Sequence, residues 1–288
     1  TGCTGKTSSR LPSMSIFTTE NTYRLTRLAA RRALTYPYDC AYRPMIVTGG
    51  GFLQPRVRAW TAEDDTAALL RGRAPTLAVG SNRAARQLAR KYADWREPLA
   101  IPVWPVWVNG IDVHFAASIG HYGAIPATPV RAPGTICAMM LVWLTPSEFV
   151  RMDETEGLGI AYDRFDVPVE ADSGVPGDVS SVVLYRHRAG TIATFGHRSI
   201  GMAELPVHDR RQARMSQPAM QRFLCRRLAP GIGLNQFIAG NIADPLLRQR
   251  RVDRLARHAI APWQPAETDR QGTVSGKTPP ITLQTLLL

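Results

Sequence analysis

The sequence predicts an α+β fold: a strand-rich central region with few helices, followed by a helical, basic extension. Three observations carry this reading. Between about residues 75 and 195, apolar runs of strand length recur, separated by Gly, Pro and Asn. Two helical patterns interrupt them, at about 83–92 and 145–156. Beyond residue 207 the strand-like runs give way to two arginine-rich amphipathic stretches, 208–231 and 243–262.

The chain has 288 residues, 44% of them hydrophobic and 20% charged, which is ordinary for a protein with a sizeable core. The longest apolar stretch, Ile136 to Leu144, is far short of the ~20 residues a membrane helix needs. No membrane association is expected. Four scattered cysteines (Cys3, Cys40, Cys137, Cys225) form no C-x-x-C pair and no zinc-type cluster. Unpaired thiols point to a reducing, cytoplasmic compartment. The net charge of +12 falls on residues 1–72 and 207–288, while 73–206 are close to neutral. Nearly all basic residues are Arg, and no aromatics interleave with them as a stacking platform requires. A nucleic-acid partner is therefore disfavoured, and a small-molecule ligand expected.

Residues 1–44 are Ser/Thr/Arg-rich and weakly patterned, and are expected to be poorly ordered or non-native. "TGCTGKTSS" ends like a phosphate loop, but Gly2 stands only three residues before Gly5, and no strand precedes it. A domain over 45–206, a basic helical extension over 207–265 and a disordered tail over 266–288 complete the expected plan. Glu63 to Arg71 reads as a short helix. "TLAV" (76–79) is a buried strand, Gly80-Ser81-Asn82 a turn, and Arg83 to Tyr92 a helix. Strands follow at 101–108 and 111–118, with Asn109-Gly110 between them as a hairpin signal. Further strands are read at 124–130 and 136–144, and "HYGAIPATPVRAPG" (121–134) must be loop or edge. Thr145, Pro146 and Glu148 spell an N-cap and capping box, and Gly157 ends that helix. Strands at 162–170, 179–185 and 190–195 complete the region.

Two places carry candidate chemistry. Asp153, Glu154 and Glu156 crowd the C-terminal end of the capped helix, against its dipole. Asp153 and Glu154 read as a solvated acidic face. Glu156 is the last residue before the capping glycine, so its carboxylate projects from the helix end and suits general acid/base work. The Gly80-Ser81-Asn82 turn joins a strand to a helix, and its N–H groups suit an anion or oxyanion. Ser81 lacks a nucleophile elbow. The six histidines are scattered and read as surface or satisfied core residues, His121 least clearly so. No metal site is expected.

Taken in order, these features resemble the γ-glutamylcyclotransferase-like family. Its marks are a Tyr-Gly-Ser-Asn loop and a helix ending Asp-x-x-Glu-Gly, then Tyr-x-Arg and a valine-rich strand. Gly80, Ser81 and Asn82 match the first mark; Asp153, Glu156 and Gly157 the second; Tyr162, Arg164, Val167 and Val169 the third. The resemblance spans about 75–205 and departs at Val79, where the family has tyrosine. It implies a small mixed β-barrel flanked by helices. The implied reaction is closure of a γ-glutamyl amine or peptide to 5-oxoproline, with Glu156 as general acid/base and no cofactor. Val79, Gly80, Ser81, Asn82 and Tyr162 would line the substrate site. Two other readings stand beside it: a non-catalytic binding or regulatory protein whose basic flanks hold an acidic partner, and a related acyl transfer or amide cleavage.

Overall fold

Six strands close on themselves around an apolar interior. The computed structural model describes residues 19–51, 53–194, 197–264 and 280–286. Helix α1 (Thr19–Leu34) leads into the hairpin β1 (Met45–Gly50) and β2 (Leu53–Ala59). Helix α2 (Thr66–Leu70) is capped by Asp65, whose side chain accepts the Ala68 N–H at 3.0 Å. Strand β3 (Ala74–Ala78) ends in the Gly80 turn, a short 3₁₀ turn over Ser81–Arg83, and helix α3 (Ala85–Lys91). Two long strands follow, β4 (Leu99–Phe115) and β5 (Ala127–Leu144). Then come α4 (Pro146–Glu156), β6 (Tyr162–Ala171) and β7 (Ser181–His187). Three two-residue strands, β8 (Gly201–Met202), β9 (Val207–His208) and β10 (Arg214–Met215), precede α5 (Gln217–Leu228), α6 (Leu234–Ala243) and α7 (Pro245–Ala256). Strand β11 (Ile281–Thr285) is last.

The ring of staves runs β4, β11, β6, β7, β3, β5 and back to β4. β11 pairs antiparallel with β4 and parallel with β6, and β3 pairs parallel with β7. The fold is thus α+β with a small closed mixed barrel and flanking helices, as the resemblance noted above implies. Alternate residues of each stave go to opposite faces. One buried cluster draws on all six staves (Leu77, Val108, Met139, Val167, Leu184, Leu283), which makes it the barrel interior. The other faces of β3, β5 and β7 pack Ala78, Met140 and Val183 against Leu88 of α3, Tyr92 just after it and Met152 of α4. That layer fixes α3 and α4 side by side on the barrel wall.

Several expectations change. Asn109-Gly110 is not a hairpin; β4 runs straight through it. The pairing jumps from Asn109–Ile136 to Gly110–Ala132, leaving Pro133, Gly134 and Thr135 unpaired on β5. Gly110 has φ 95°, so its left-handed freedom serves a bulge rather than a turn. The true β4–β5 connection is the segment 116–126. Within 1–44, residues 19–34 form α1 and Ala33 and Tyr36 are buried, so part of that segment is ordered; Gly2 to Lys6 lie outside the described residues. Within 266–288, Ile281–Thr285 form a barrel stave rather than a disordered tail. Among the described residues the extension holds three helices, not two: α6 has no charged residue and buries Phe237 and Ile238, so it lacks the arginine-rich face that marks the other two. Of the expected strand 190–195, residues 190–194 make isolated bridges at Thr191 and Ala193 instead, and Phe195 lies outside the described residues.

The extension binds its own chain with its arginines. Arg210 grips both oxygens of buried Asp112 at 2.8 and 2.6 Å. Asp112 also meets His114 Nε2 at 3.0 Å, and His114 Nδ1 meets Ser199 Oγ at 2.8 Å. This polar chain ties β4 to the 199–210 segment. Arg254 donates to the Leu228 carbonyl at the end of α5, and Arg248 to the Asn241 carbonyl near the end of α6. Among the described residues, no helix is long and apolar enough to cross a membrane. Cys40, Cys137 and Cys225 are free thiols; Cys3 lies outside the described residues.

Candidate functional site

The site begins with α4. Thr145 Oγ1 accepts the Glu148 N–H at 3.3 Å and the Glu148 carboxylate accepts the Thr145 N–H at 2.9 Å, closing the capping box. At the other end Gly157, at φ 66°, stops the helix in the left-handed conformation. Asp153 is more than a solvated charge. It accepts the Tyr185 hydroxyl at 2.5 Å and pairs with Arg164, so it hooks α4 to β6 and β7. Burial and then the Asp153 bond hold the Tyr185 phenol well above its ordinary range. Glu154, 61% exposed, is the solvated residue.

With both helix ends fixed, Glu156 is aimed at the Gly80 turn. Asn82 Nδ2 donates to Glu156 Oε1 at 2.9 Å. Lys91 Nζ, at the end of α3, pairs with the same oxygen, and Arg151 Nε donates to the Lys91 carbonyl at 3.0 Å. Both partners use Oε1, and Oε2 meets no donor among the described residues. In the turn, the Arg83 and Ala84 N–H groups close onto the Gly80 and Ser81 carbonyls at 3.2 and 3.1 Å.

A cavity of about 720 Å³ lies between these groups, within the size range of small-molecule sites. Val79, Gly80, Ser81, Asn82, Tyr162 and Glu156 all line it. All six residues singled out from the sequence therefore meet around one space. Tyr162 donates to the Ala127 carbonyl at 3.3 Å and stands edge-on to His187, 4.8 Å between centroids. Burial lowers the His187 pKa to about 4, with Glu156 opposing, so the ring is neutral at pH 7. Its Nδ1 accepts the Ala189 N–H at 3.1 Å, which puts the proton of the neutral ring on Nε2. Asn82 Oδ1 and Gln87 Oε1, both on residues of the cavity wall, are buried with no hydrogen-bond partner among the described residues.

Sequence reasoning missed Lys91, Tyr36, Tyr122, Arg32, Arg248 and the position of His187. Tyr36 comes from the α1–β1 connection, and its hydroxyl accepts the Ala127 N–H at 2.9 Å beside Gly80. Segment 121–126 is a cavity wall. Gln217 and Gln221 of α5 donate to the Ile125 and Gly123 carbonyls at 3.0 and 2.7 Å and hold it there. Among the described residues, no group of three His, Cys, Asp or Glu is placed to hold a metal ion.

No protein-family model matches the chain, and no curated protein matches it. Among solved structures, it shows a likeness to the crystal structure of an uncharacterized protein from Homo sapiens. The identity is 16%, with 71% of this chain and 95% of that chain covered and a TM-score of 0.31. A value that low does not equate the two folds.

Proposed function

We propose that this protein is a γ-glutamylcyclotransferase-like enzyme that releases 5-oxoproline from a γ-glutamyl amine or peptide. The observation that carries this reading is Glu156, held at a helix end on the cavity wall beside the Gly80-Ser81-Asn82 turn, where Asn82 donates to Oε1 while Oε2 meets no donor among the described residues.

The proposed chemistry uses this geometry. Oε2 takes a proton from the α-ammonium of the γ-glutamyl group. The freed amine attacks the γ-carbonyl carbon of the same group, forming the ring C–N bond. Collapse breaks the bond to the leaving nitrogen, which receives the proton held by Glu156, and the ring nitrogen gives its second proton to the freed carboxylate, which passes it to solvent or to the departing amine. The products are 5-oxoproline and the free amine. Ring closure needs orientation more than activation, so a shaped polar cavity supplies much of the rate. The orphan oxygens of Asn82 and Gln87 suit the N–H groups of the substrate ammonium. The Gly80 turn suits the α-carboxylate or the developing oxyanion.

Glu156→Gln tests this directly. The amide keeps an oxygen for Asn82 but cannot shuttle a proton. 5-Oxoproline release from γ-glutamyl compounds should fall by roughly 10²- to 10⁴-fold in kcat. Release at the wild-type rate would remove Glu156 from the mechanism.

A further inference from the structure

His187 gives the cavity wall a hydrogen-bond donor that the chain leaves unused. It is the last residue of β7, is 5% exposed, and lines the cavity. Its Nδ1 accepts the Ala189 N–H, so the neutral ring carries its proton on Nε2. That Nε2–H meets no acceptor among the described residues. A buried donor left unpaired costs free energy, and an acceptor that arrives with a ligand removes the cost. Glu156 handles protons on nitrogen. The γ-carbonyl oxygen, which takes up charge during the attack, still needs a donor.

Direct contacts tie His187 to both parts of the site. Tyr162 stands opposite His187 in the β6–β7 pairing, with 4.8 Å between the ring centroids. The Tyr162 N–H donates to the carbonyl of Gly157, the residue after Glu156, at 3.4 Å. The Tyr162 hydroxyl donates to the Ala127 carbonyl at 3.3 Å, and the Ala127 Cβ stands 3.3 Å from the place a Cβ would take on Gly80. Alternation puts Tyr185 and His187 on one face of β7. Tyr185 is bonded to Asp153, one turn before Glu156 on α4. The His187 backbone is fixed as well, its N–H donating to Thr128 Oγ1 at 3.1 Å. The ring is thus held in place, and it stays uncharged at pH 7 because burial opposes its second proton. A neutral, preset donor adds no ion pair to the bound ground state and strengthens as charge grows on an oxygen before it.

We propose that His187 is a catalytic hydrogen-bond donor whose Nε2–H holds the γ-carbonyl oxygen of the substrate as that oxygen becomes negative. This rests on the reading of Glu156 given above. As the amine nitrogen bonds to the γ-carbon, the carbonyl π pair moves onto oxygen and the Nε2–H bond to it tightens. When the bond to the leaving nitrogen breaks, the pair returns to the carbonyl. The imidazole proton stays on Nε2 throughout, so Glu156 remains the group that moves protons. With the oxyanion on His187, the Gly80 turn is left to the α-carboxylate.

The test follows 5-oxoproline release from γ-glutamyl compounds by the full chain, with His187→Leu and His187→Gln beside the wild type. Loss of a donor used only in the transition state should lower kcat in His187→Leu by roughly 10²- to 10³-fold and leave KM little changed. His187→Gln brings a neutral amide N–H and should recover part of that kcat. Wild-type kcat in His187→Leu overturns the proposal. A loss carried by KM also overturns it, since His187 would then only bind the ground state. A wild-type measurement decides where the variants fold poorly. Nitrogen NMR of the histidine-labelled chain at pH 7 should find the His187 ring neutral with its proton on Nε2, and a proton on Nδ1 overturns the assignment. The two readings fail separately. Release that Glu156→Gln abolishes and His187→Leu keeps ends this proposal alone. A wild type that releases no 5-oxoproline from any γ-glutamyl compound ends the reading of Glu156 and this one with it.

Discussion

Gly80 and Tyr36 show how the site is built at the scale of single residues. A Cβ added at Gly80 would stand 2.7 Å from the Tyr36 hydroxyl and 3.3 Å from the Ala127 Cβ. That close approach leaves no space for a side chain, which makes glycine necessary here. Gly80→Ala should cost about 1–3 kcal/mol in urea unfolding, because Tyr36 must give up its place over the turn. Tyr36→Phe should cost about 1–3 kcal/mol by leaving the Ala127 N–H without its acceptor. The two costs should not add: with the hydroxyl gone, the new methyl has room. Strict additivity in the double variant would show that the hydroxyl is not the obstacle. The sequence made the glycine legible as a turn residue, and Val79 legible as a missing tyrosine. It could not show that Tyr36 brings a hydroxyl to the same turn. That residue lies in a segment without periodicity, and only the docking of α1 against the barrel puts it there.

At the scale of elements, α4 was the most legible part of the chain, because its signals are local. Thr145, Pro146, Glu148 and Gly157 specify its ends through contacts within a few residues. What α4 does to its surroundings was less visible. Glu148 completes the capping box and also pairs with Arg73, the residue just before β3, and it is buried to 2% exposure. Asp153 takes the Tyr185 hydroxyl and the Arg164 guanidinium. These long-range pairs turn an ordinary capped helix into a fixed mount for Glu156. Arg73→Met should leave the Glu148 charge without its cation and cost roughly 3 kcal/mol. Arg73→Met combined with Glu148→Gln should recover part of that loss in denaturant unfolding. A single variant within a few tenths of a kcal/mol of wild type would mean that the pair does not hold the helix. The Asn109-Gly110 signal is ambiguous for a related reason. Asn-Gly marks positive φ, and positive φ serves a bulge as well as a two-residue turn. Only the partner strand, with its extra residues 133–135, distinguishes the two.

At the scale of the whole molecule, the regions outside the central 75–205 complete both barrel and cavity. α1 and α7 supply Arg32 and Arg248, α5 holds the 121–126 wall, and β11 closes the ring. A five-residue strand such as Ile281–Thr285 leaves little trace in sequence, because its identity depends on the gap between β4 and β6 that it fills. In place, it is deeply built in. Leu283 is fully buried, and Ile281 and Leu286 nearly so. Asp172 at the end of β6 accepts both the N–H and the hydroxyl of Thr285, at 2.9 and 3.1 Å. Burying three such aliphatic side chains contributes roughly 5–8 kcal/mol, comparable with the ~5–15 kcal/mol net stability of a typical domain. A chain ending at residue 279 should therefore lose cooperative unfolding and near-UV dichroism, and should aggregate through the exposed edges of β4 and β6. A synthetic peptide covering 279–288 should restore part of the signal by strand addition. Leu283→Ala in the full chain should cost about 2–5 kcal/mol. A truncated chain that melts like the full one would mean the barrel closes without its last stave.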